Sequence, residues 1–229
     1  MLSSLFGHSL EGKVPEHFAL QNSKMLRVLL NGEVLARQGS MVAFQGQMDF
    51  EHQGSGGLGK MLKKAVSGEG APLMKARGQG QIFFANNADE IHLVFLQNEA
   101  ISVNGTNILA FEQSLQWDIS TIGGGAAGML AGGVFNTLLQ GTGWVALTSH
   151  GTPVILNTAQ APTFADAQAA ICWSANLETN MNSTFKAGAL IGRGSGEMAQ
   201  IQFNGQGFVI VQASEGPVVP PHSHNSGVG

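Results

Sequence analysis

The chain has 229 residues, of which 11% are charged, with 32 glycines, no tyrosine and a net charge of −4. Average soluble domains carry about 25% charged residues, and the 11 basic residues here exclude a protein whose main work is gripping phosphate backbones. One cysteine, Cys172, excludes an intramolecular disulfide and multi-cysteine metal knuckles, and a reducing compartment follows as the simpler expectation.

So few charges leave long-range repulsion weak, which predicts self-association into a homo-oligomer. Residues Met1 to Leu10 show no basic start followed by an apolar stretch, so no secretory signal is expected and the predicted location is cytoplasmic. The longest apolar segment, Ile122 to Leu139, is mostly Gly and Ala and is broken by Asn136 and Thr137. It falls short of the roughly 20 strongly apolar residues of a spanning helix.

In chain order, Met25 to Leu30 reads as a strand leading into Asn31-Gly32, a dipeptide that closes tight hairpins, with a second strand at Glu33 to Ala36. From Val42 to Phe50 apolar and polar residues alternate, placing Val42, Phe44, Met48 and Phe50 on one strand face with Gly46 among them, a mark of a bulge or close backbone approach. The segment Gly54 to Gly70 is a Gly-rich linker holding one predicted helix, Leu58 to Val66, with Lys60, Lys63 and Lys64 off its apolar face. Next comes Gly78-x-Gly80-x-Ile82-x-Phe84.

These elements recur. The second copy has Ile91 to Leu96, a turn near Asn104-Gly105, a strand from Leu109 to Ile119, the linker Gly123 to Gly133, and Gly141-x-Gly143-x-Val145-x-Leu147. The third has Val154 to Leu156, Ala170 to Thr179, the linker Ala187 to Gly196, and a strand from Ile201 to Val211 containing Gly205-x-Gly207-x-Val209-x-Val211. The Gly-x-Gly motifs are offset by 63 and 64 residues, and Phe44, Phe111 and Trp173 by 67 and 62. Self-similarity at a fixed period is the signature of a repeat architecture. Aliphatic residues on one face and Phe83, Trp144 and Phe208 toward the other predict strands covered on both sides.

The expected fold is therefore all-β: three pseudo-equivalent antiparallel units, sandwich-like or resembling a double-stranded β-helix, around a pseudo-threefold axis. One domain is expected over 1–215, with units at about 20–86, 87–149 and 150–215. Residues 216–229, with three prolines and no apolar periodicity, are expected to be disordered.

Few residues carry chemistry. Gly54-x4-Gly59-Lys60 matches most of a phosphate-binding loop, but Met61 stands where a magnesium-binding Ser or Thr belongs, and no alternating α/β pattern surrounds it. Gly192 to Gly196 reads as a plain loop. Cys172 faces away from Trp173 by alternation and reads as a buried, inert thiol. His8, His17, His52, His92 and His150 are scattered, and His222-x-His224 lies in the tail, so neither a metal nor another cofactor is predicted. Lys60, Lys63 and Lys64 are the candidate contact for a partner, anionic lipid included. Gly123, Gly124, Gly125, Gly128, Gly132 and Gly133 form the candidate interface loop.

The threefold series Gly68-Glu69, Gly132-Gly133-Val134-Phe135-Asn136 and Gly196-Glu197, each with its Gly-x-Gly strand, resembles the altered-inheritance-of-mitochondria protein twenty-four family. The similarity covers roughly residues 20 to 213, and the middle copy departs from it by lacking the Glu. The resemblance implies one chain holding three units of the fold of the tryptophan RNA-binding attenuation protein, no settled activity, and a link to membrane-associated organisation, with peripheral membrane contact.

Repeats without a clustered acid, base or nucleophile predict a noncatalytic scaffold or binding module with an unidentified protein partner. Two alternatives stand beside it: an enzyme binding a nucleotide or small molecule at the Gly54 to Lys60 loop, and an RNA-binding protein using Lys60, Lys63 and Lys64. The charge balance disfavours nucleic acid.

Overall fold

The computed structural model describes residues 16–52, 72–122, 135–182 and 200–214. Among them the chain is all-β. The first unit consists of β1 (Phe18–Asn22), β2 (Met25–Arg37), β3 (Met41–His52) and β4 (Leu73–Phe84). The second consists of β5 (Glu90–Asn104), a 3-10 turn at Gly105–Asn107, β6 (Ile108–Glu112), β7 (Gln116–Thr121) and β8 (Phe135–Ser149). The third consists of β9 (Val154–Asn157), β10 (Thr163–Asp166), β11 (Ala170–Ser174), β12 (Glu178–Asn182), β13 (Gln200–Asn204) and β14 (Phe208–Val211).

Setting β1 aside, the units are wired alike: the closing strand or strands of each lie between its opening strands and those that follow them. In the first unit β4 pairs antiparallel with both β2 and β3. In the second, β8 lies between β5 on one side and β6 and β7 on the other. In the third, β14 pairs with β9 and β11, while β13 pairs with β10 and β12. The Gly-x-Gly strands are thus the three central strands, which explains why they carry the most regular apolar pattern: Ile82, Val145 and Val209 are fully buried.

Two junctions tie the units together. β2 pairs with β6, placing Leu35 opposite Phe111, and β5 pairs with β11, placing Ser102 opposite Trp173. One sheet therefore runs β3-β4-β2-β6-β8-β5-β11-β14-β9, and a three-stranded sheet runs β10-β13-β12. The core straddles the junctions: Leu109 and Ala110 of β6 pack with Val28, Ile82 and Phe84, and Ile171 and Cys172 of β11 pack with Val103, Phe111 and Val145.

The structure corrects several expectations. Asn31-Gly32 closes no hairpin; β2 runs through it from Met25 to Arg37. Gly32 does use its positive φ, +134°, but opposite Gly78 in mid-strand, so the conformational freedom redirects the strand instead of reversing it. The strands expected at Leu109 to Ile119, Ala170 to Thr179 and Ile201 to Val211 are each two strands. Turns with Leu115 N–H donating to Glu112 O, 3.1 Å, and Leu177 N–H donating to Ser174 O, 3.1 Å, make the first two breaks. The β3 face bearing Val42, Phe44 and Phe50 is exposed, not covered. The turn expected near Asn104-Gly105 is present, capped by Asn104 Oδ1, which accepts from Thr106 N–H.

Candidate functional site: a polar cavity where the three units meet

The connections between first and second strands, and the ends of the central strands, gather at one end of the molecule around a cavity of about 900 Å³. All three units line it: Arg37 and the 86–89 loop from the first, Thr106, Asn107 and residues 148–151 from the second, Gln168 and residues 212–214 from the third. Ligand sites commonly fall between about 300 and 1,000 Å³.

Arg37 ends β2 and donates from one guanidinium nitrogen to Thr106 O, 2.5 Å, across the first junction. Arginine has five N–H donors, of which this bond uses one. Burial pulls the guanidinium below its ordinary pKa, with the Asp89 carboxylate acting in the opposite direction, and it stays charged at any physiological pH. Asp89 is buried, and burying a carboxylate is unfavourable unless it is paired. Its two oxygens are both engaged: Oδ2 accepts from Asn86 Nδ2, 2.6 Å, and Oδ1 lies 2.9 Å from His150 Nδ1. The loop that presents them holds Asn87 and Ala88 at φ of +45° and +60°, a conformation that costs a non-glycine residue roughly 1–3 kcal/mol. Lys24 Nζ fastens it by donating to Ala88 O, 2.7 Å.

On the opposite wall Asn107 donates from Nδ2 to Thr148 O, 2.8 Å, and Gln212 donates from Nε2 to Gln168 O, 2.9 Å. Gln212 Oε1 accepts from His150 N–H, 3.0 Å. This network joins the second unit to the third and fixes the wall. His92 Nε2 lies 2.7 Å from Ser149 Oγ, a pair that resembles a nucleophile and its base. The Ser149 hydroxyl, however, donates its single proton to Gly151 O, 2.7 Å, so His92 must be the donor to Oγ. Burial lowers the His92 pKa, with Glu90 opposing, which keeps the ring neutral; Ser149 itself is 1% exposed. The pair is structural.

Lys60, Lys63 and Lys64, the Gly54 to Lys60 loop, the glycines Gly123, Gly124, Gly125, Gly128, Gly132 and Gly133, and His222 and His224 all lie outside the described residues. Cys172 is buried as expected, and burial pushes its thiol up to about 12. His150, which the sequence shows only as one of several scattered histidines, lines the cavity, and His92 stands behind its wall, in contact with Ser149. The overlooked signal was positional: residues 86–89, 149–151 and 212–214 each follow a Gly-x-Gly strand by a similar interval. Among the described residues no group of three His, Cys, Asp or Glu side chains is placed to hold a metal ion. Nor is any helix among them long and apolar enough to cross a membrane.

Fold and cavity together define an all-β repeat protein whose units share one polar site. A family model, mitochondrial biogenesis AIM24, matches residues 18–214, and the chain belongs to that family. Among solved structures it is similar to SPYM3_0169 from Streptococcus pyogenes, an X-ray crystal structure with a TM-score of 0.68 and 21% sequence identity, covering 86% of this chain and 92% of that one. At that identity the likeness establishes the fold. No curated protein matches the chain.

Proposed function

We propose that the protein is a noncatalytic binding module: a β framework of three units, arranged around a pseudo-threefold axis through the cavity, that holds a small polar ligand bearing an acidic group. The observation that carries this reading is the cavity itself, to which every unit contributes and into which Arg37 brings a permanent positive charge with donors to spare. Both oxygens of Asp89 are already engaged, by Asn86 and His150, which fixes the carboxylate on the wall beside Arg37. A planar guanidinium recognises a carboxylate or phosphate through paired hydrogen bonds. The donor order at His92 and Ser149 supports a binding role over a hydrolytic one.

Thermal unfolding of the purified chain with inorganic phosphate and with citrate as probes tests this. A ligand at a hundredfold its Kd stabilises by about 2.7 kcal/mol, which for a chain of this size raises Tm by roughly 5–10 °C. Arg37→Ala should abolish the rise, with a lower unliganded Tm from the lost Thr106 contact, so each protein is compared with its own unliganded state. Equal stabilisation of both proteins, or none of either, contradicts the reading. Native mass spectrometry of the freshly purified protein, which the same reading expects to retain a small acidic molecule, gives an independent check.

A further inference from the structure

His150 is held at two points, and the second decides what its ring offers the cavity. Its backbone N–H donates to Gln212 Oε1, 3.0 Å, which anchors the residue to the third unit. Its ring Nδ1 lies 2.9 Å from Asp89 Oδ1. A carboxylate only accepts, so Nδ1 carries a proton. Asp89 is not free to turn away: its side chain is 6% exposed, its other oxygen accepts from Asn86 Nδ2, 2.6 Å, and its backbone N–H donates to Asn86 O, 2.8 Å. When the imidazole is neutral, the proton on Nδ1 leaves Nε2 as an acceptor. Among the described residues no group is bonded to Nε2, and the half-exposed ring lines the cavity. The neighbouring His92 is the reverse case, with Nε2 used as a donor inside the protein, to Ser149 Oγ.

We propose that His150 is a specificity-determining residue of the cavity and that the ligand is a hydroxy acid, whose acid group pairs with Arg37 and whose hydroxyl donates to His150 Nε2. This rests on the acidic-ligand reading above and narrows it. Asp89 links the two contacts, since it is bonded to His150 and its charge acts on Arg37, so both serve the same part of the cavity. An arginine offers only donors, and a neutral histidine oriented by a carboxylate offers only an acceptor. Together they ask for a ligand that accepts at one end and donates at the other. An ionised carboxylic acid without a hydroxyl meets the first demand and not the second. Because the ring is half exposed, water satisfies Nε2 in the free protein. A hydroxyl therefore gains only what a net hydrogen bond contributes, a preference of roughly threefold to tenfold.

Isothermal titration calorimetry with two probe pairs tests the assignment: malate against succinate, and citrate against its deoxy analogue tricarballylate. Each pair differs by one hydroxyl. At about pH 8, the upper end of the range in which histidine changes charge, wild type should bind the hydroxylated member roughly threefold to tenfold more tightly in every pair that binds. His150→Asn should bind both members of a pair alike, because the asparagine Nδ2 can replace Nδ1 toward Asp89 while nothing replaces Nε2. Arg37→Ala should weaken all four. Equal wild-type affinities within a pair that binds, or a preference that survives His150→Asn, overturn this inference and leave the acidic-ligand reading standing. Binding of none of the four overturns both. The nitrogen NMR spectrum of histidine-labelled protein gives a second readout, with His150 assigned by the signal that His150→Asn removes. The free protein should show this ring protonated at Nδ1 alone, and a ring protonated at Nε2 alone overturns the inference whatever the affinities.

Discussion

The first and third units carry the same Gly-x-Gly motif and solve the same problem, how to bend a long hairpin, by different physical means. In the first unit β3 and β4 run 12 residues each without a break, and the bend is absorbed by glycine backbone. Gly46, Gly78 and Gly80 all have φ between +115° and +149°, and a Cβ at Gly80 would lie 2.0 Å from Gln45 O. In the third unit the corresponding strands are interrupted at 175–177 and 205–207, and the corner is a turn with a side-chain cap. Ser174 Oγ accepts from Phe208 N–H, 3.0 Å, and Leu177, 6% exposed, plugs the inside. The second unit uses the same device, with Glu112 Oε2 accepting from Trp144 N–H, 2.9 Å. One motif therefore serves two purposes: in the first unit it lets backbone meet backbone, and in the others its second glycine clears space for the cap.

The largest effect should come from Gly80→Ala. The new methyl would meet the backbone of the neighbouring strand, which cannot rotate away, at a φ of +143° that L residues rarely adopt. Overpacking and backbone strain together should destabilise by about 3 kcal/mol or more, read by urea denaturation. Gly207→Ala should be milder. Its Cβ would lie 2.7 Å from Ser174 Oγ and 2.8 Å from Ser174 Cβ, with no positive φ involved; the hydroxyl can rotate aside, leaving Phe208 N–H unpaired, while the Cβ contact forces a small local shift, together about 2 kcal/mol. If the two substitutions destabilise equally, the distinction between backbone-made and side-chain-made bends is wrong.

Ser174→Ala sharpens the same point. It deletes the cap without adding bulk and should destabilise by about 1 kcal/mol, and in its presence Gly207→Ala should add less than it does alone, since the hydrogen bond is then already lost and only the 2.8 Å contact with the 174 Cβ remains. Separate, additive losses would mean that the glycine has a further role in the corner.

The sequence made the two units look alike because apolar spacing survives a tight turn. Leu115 and Leu177 continue the alternation of Phe111 and Trp173 across the break, so one strand was read where a strand, a turn and a strand exist. The central strands were legible because the regular spacing of Gly-x-Gly reflects a position buried between two neighbours. Phe44 was legible as the counterpart of Phe111 and Trp173 in the repeat, but not as exposed, since its exposure goes with the place of β3 at the end of the long sheet, which no local spacing records. The cavity was hidden for a similar reason. Asn107 and Gln212 meet across 105 residues, and each alone is an ordinary polar residue in a connection. Asn31-Gly32 misled because a dipeptide suited to positive φ serves a bend as well as a hairpin.

The smallest predicted effect separates the units by pH. In the first unit the outer face of the long strands carries Glu33, with Lys75 Nζ 3.0 Å from its Oε2 and Arg77 bound at Oε1; the corresponding positions in the other units are Ala100 and Pro162, which cannot ionise. The Lys75 ammonium, opposed by burial and reinforced by Arg77, holds the Glu33 pKa below its ordinary value. A depressed carboxylate pKa contributes stability that is fully present above the unfolded value of about 4.3 and is lost as pH falls through the folded one. Glu33→Gln should therefore be slightly less stable than wild type at neutral pH, and the gap should close below the ordinary carboxylate range. The effect is modest because partly exposed ion pairs contribute little and should shrink further in high salt. Amide exchange should place the loss in β2 and β4 while leaving β13 and β14 unchanged. Loss spread over both units would mean that the ion pairs of the first unit are coupled through the junctions to the rest of the molecule, and the two ways of bending would then not be energetically independent.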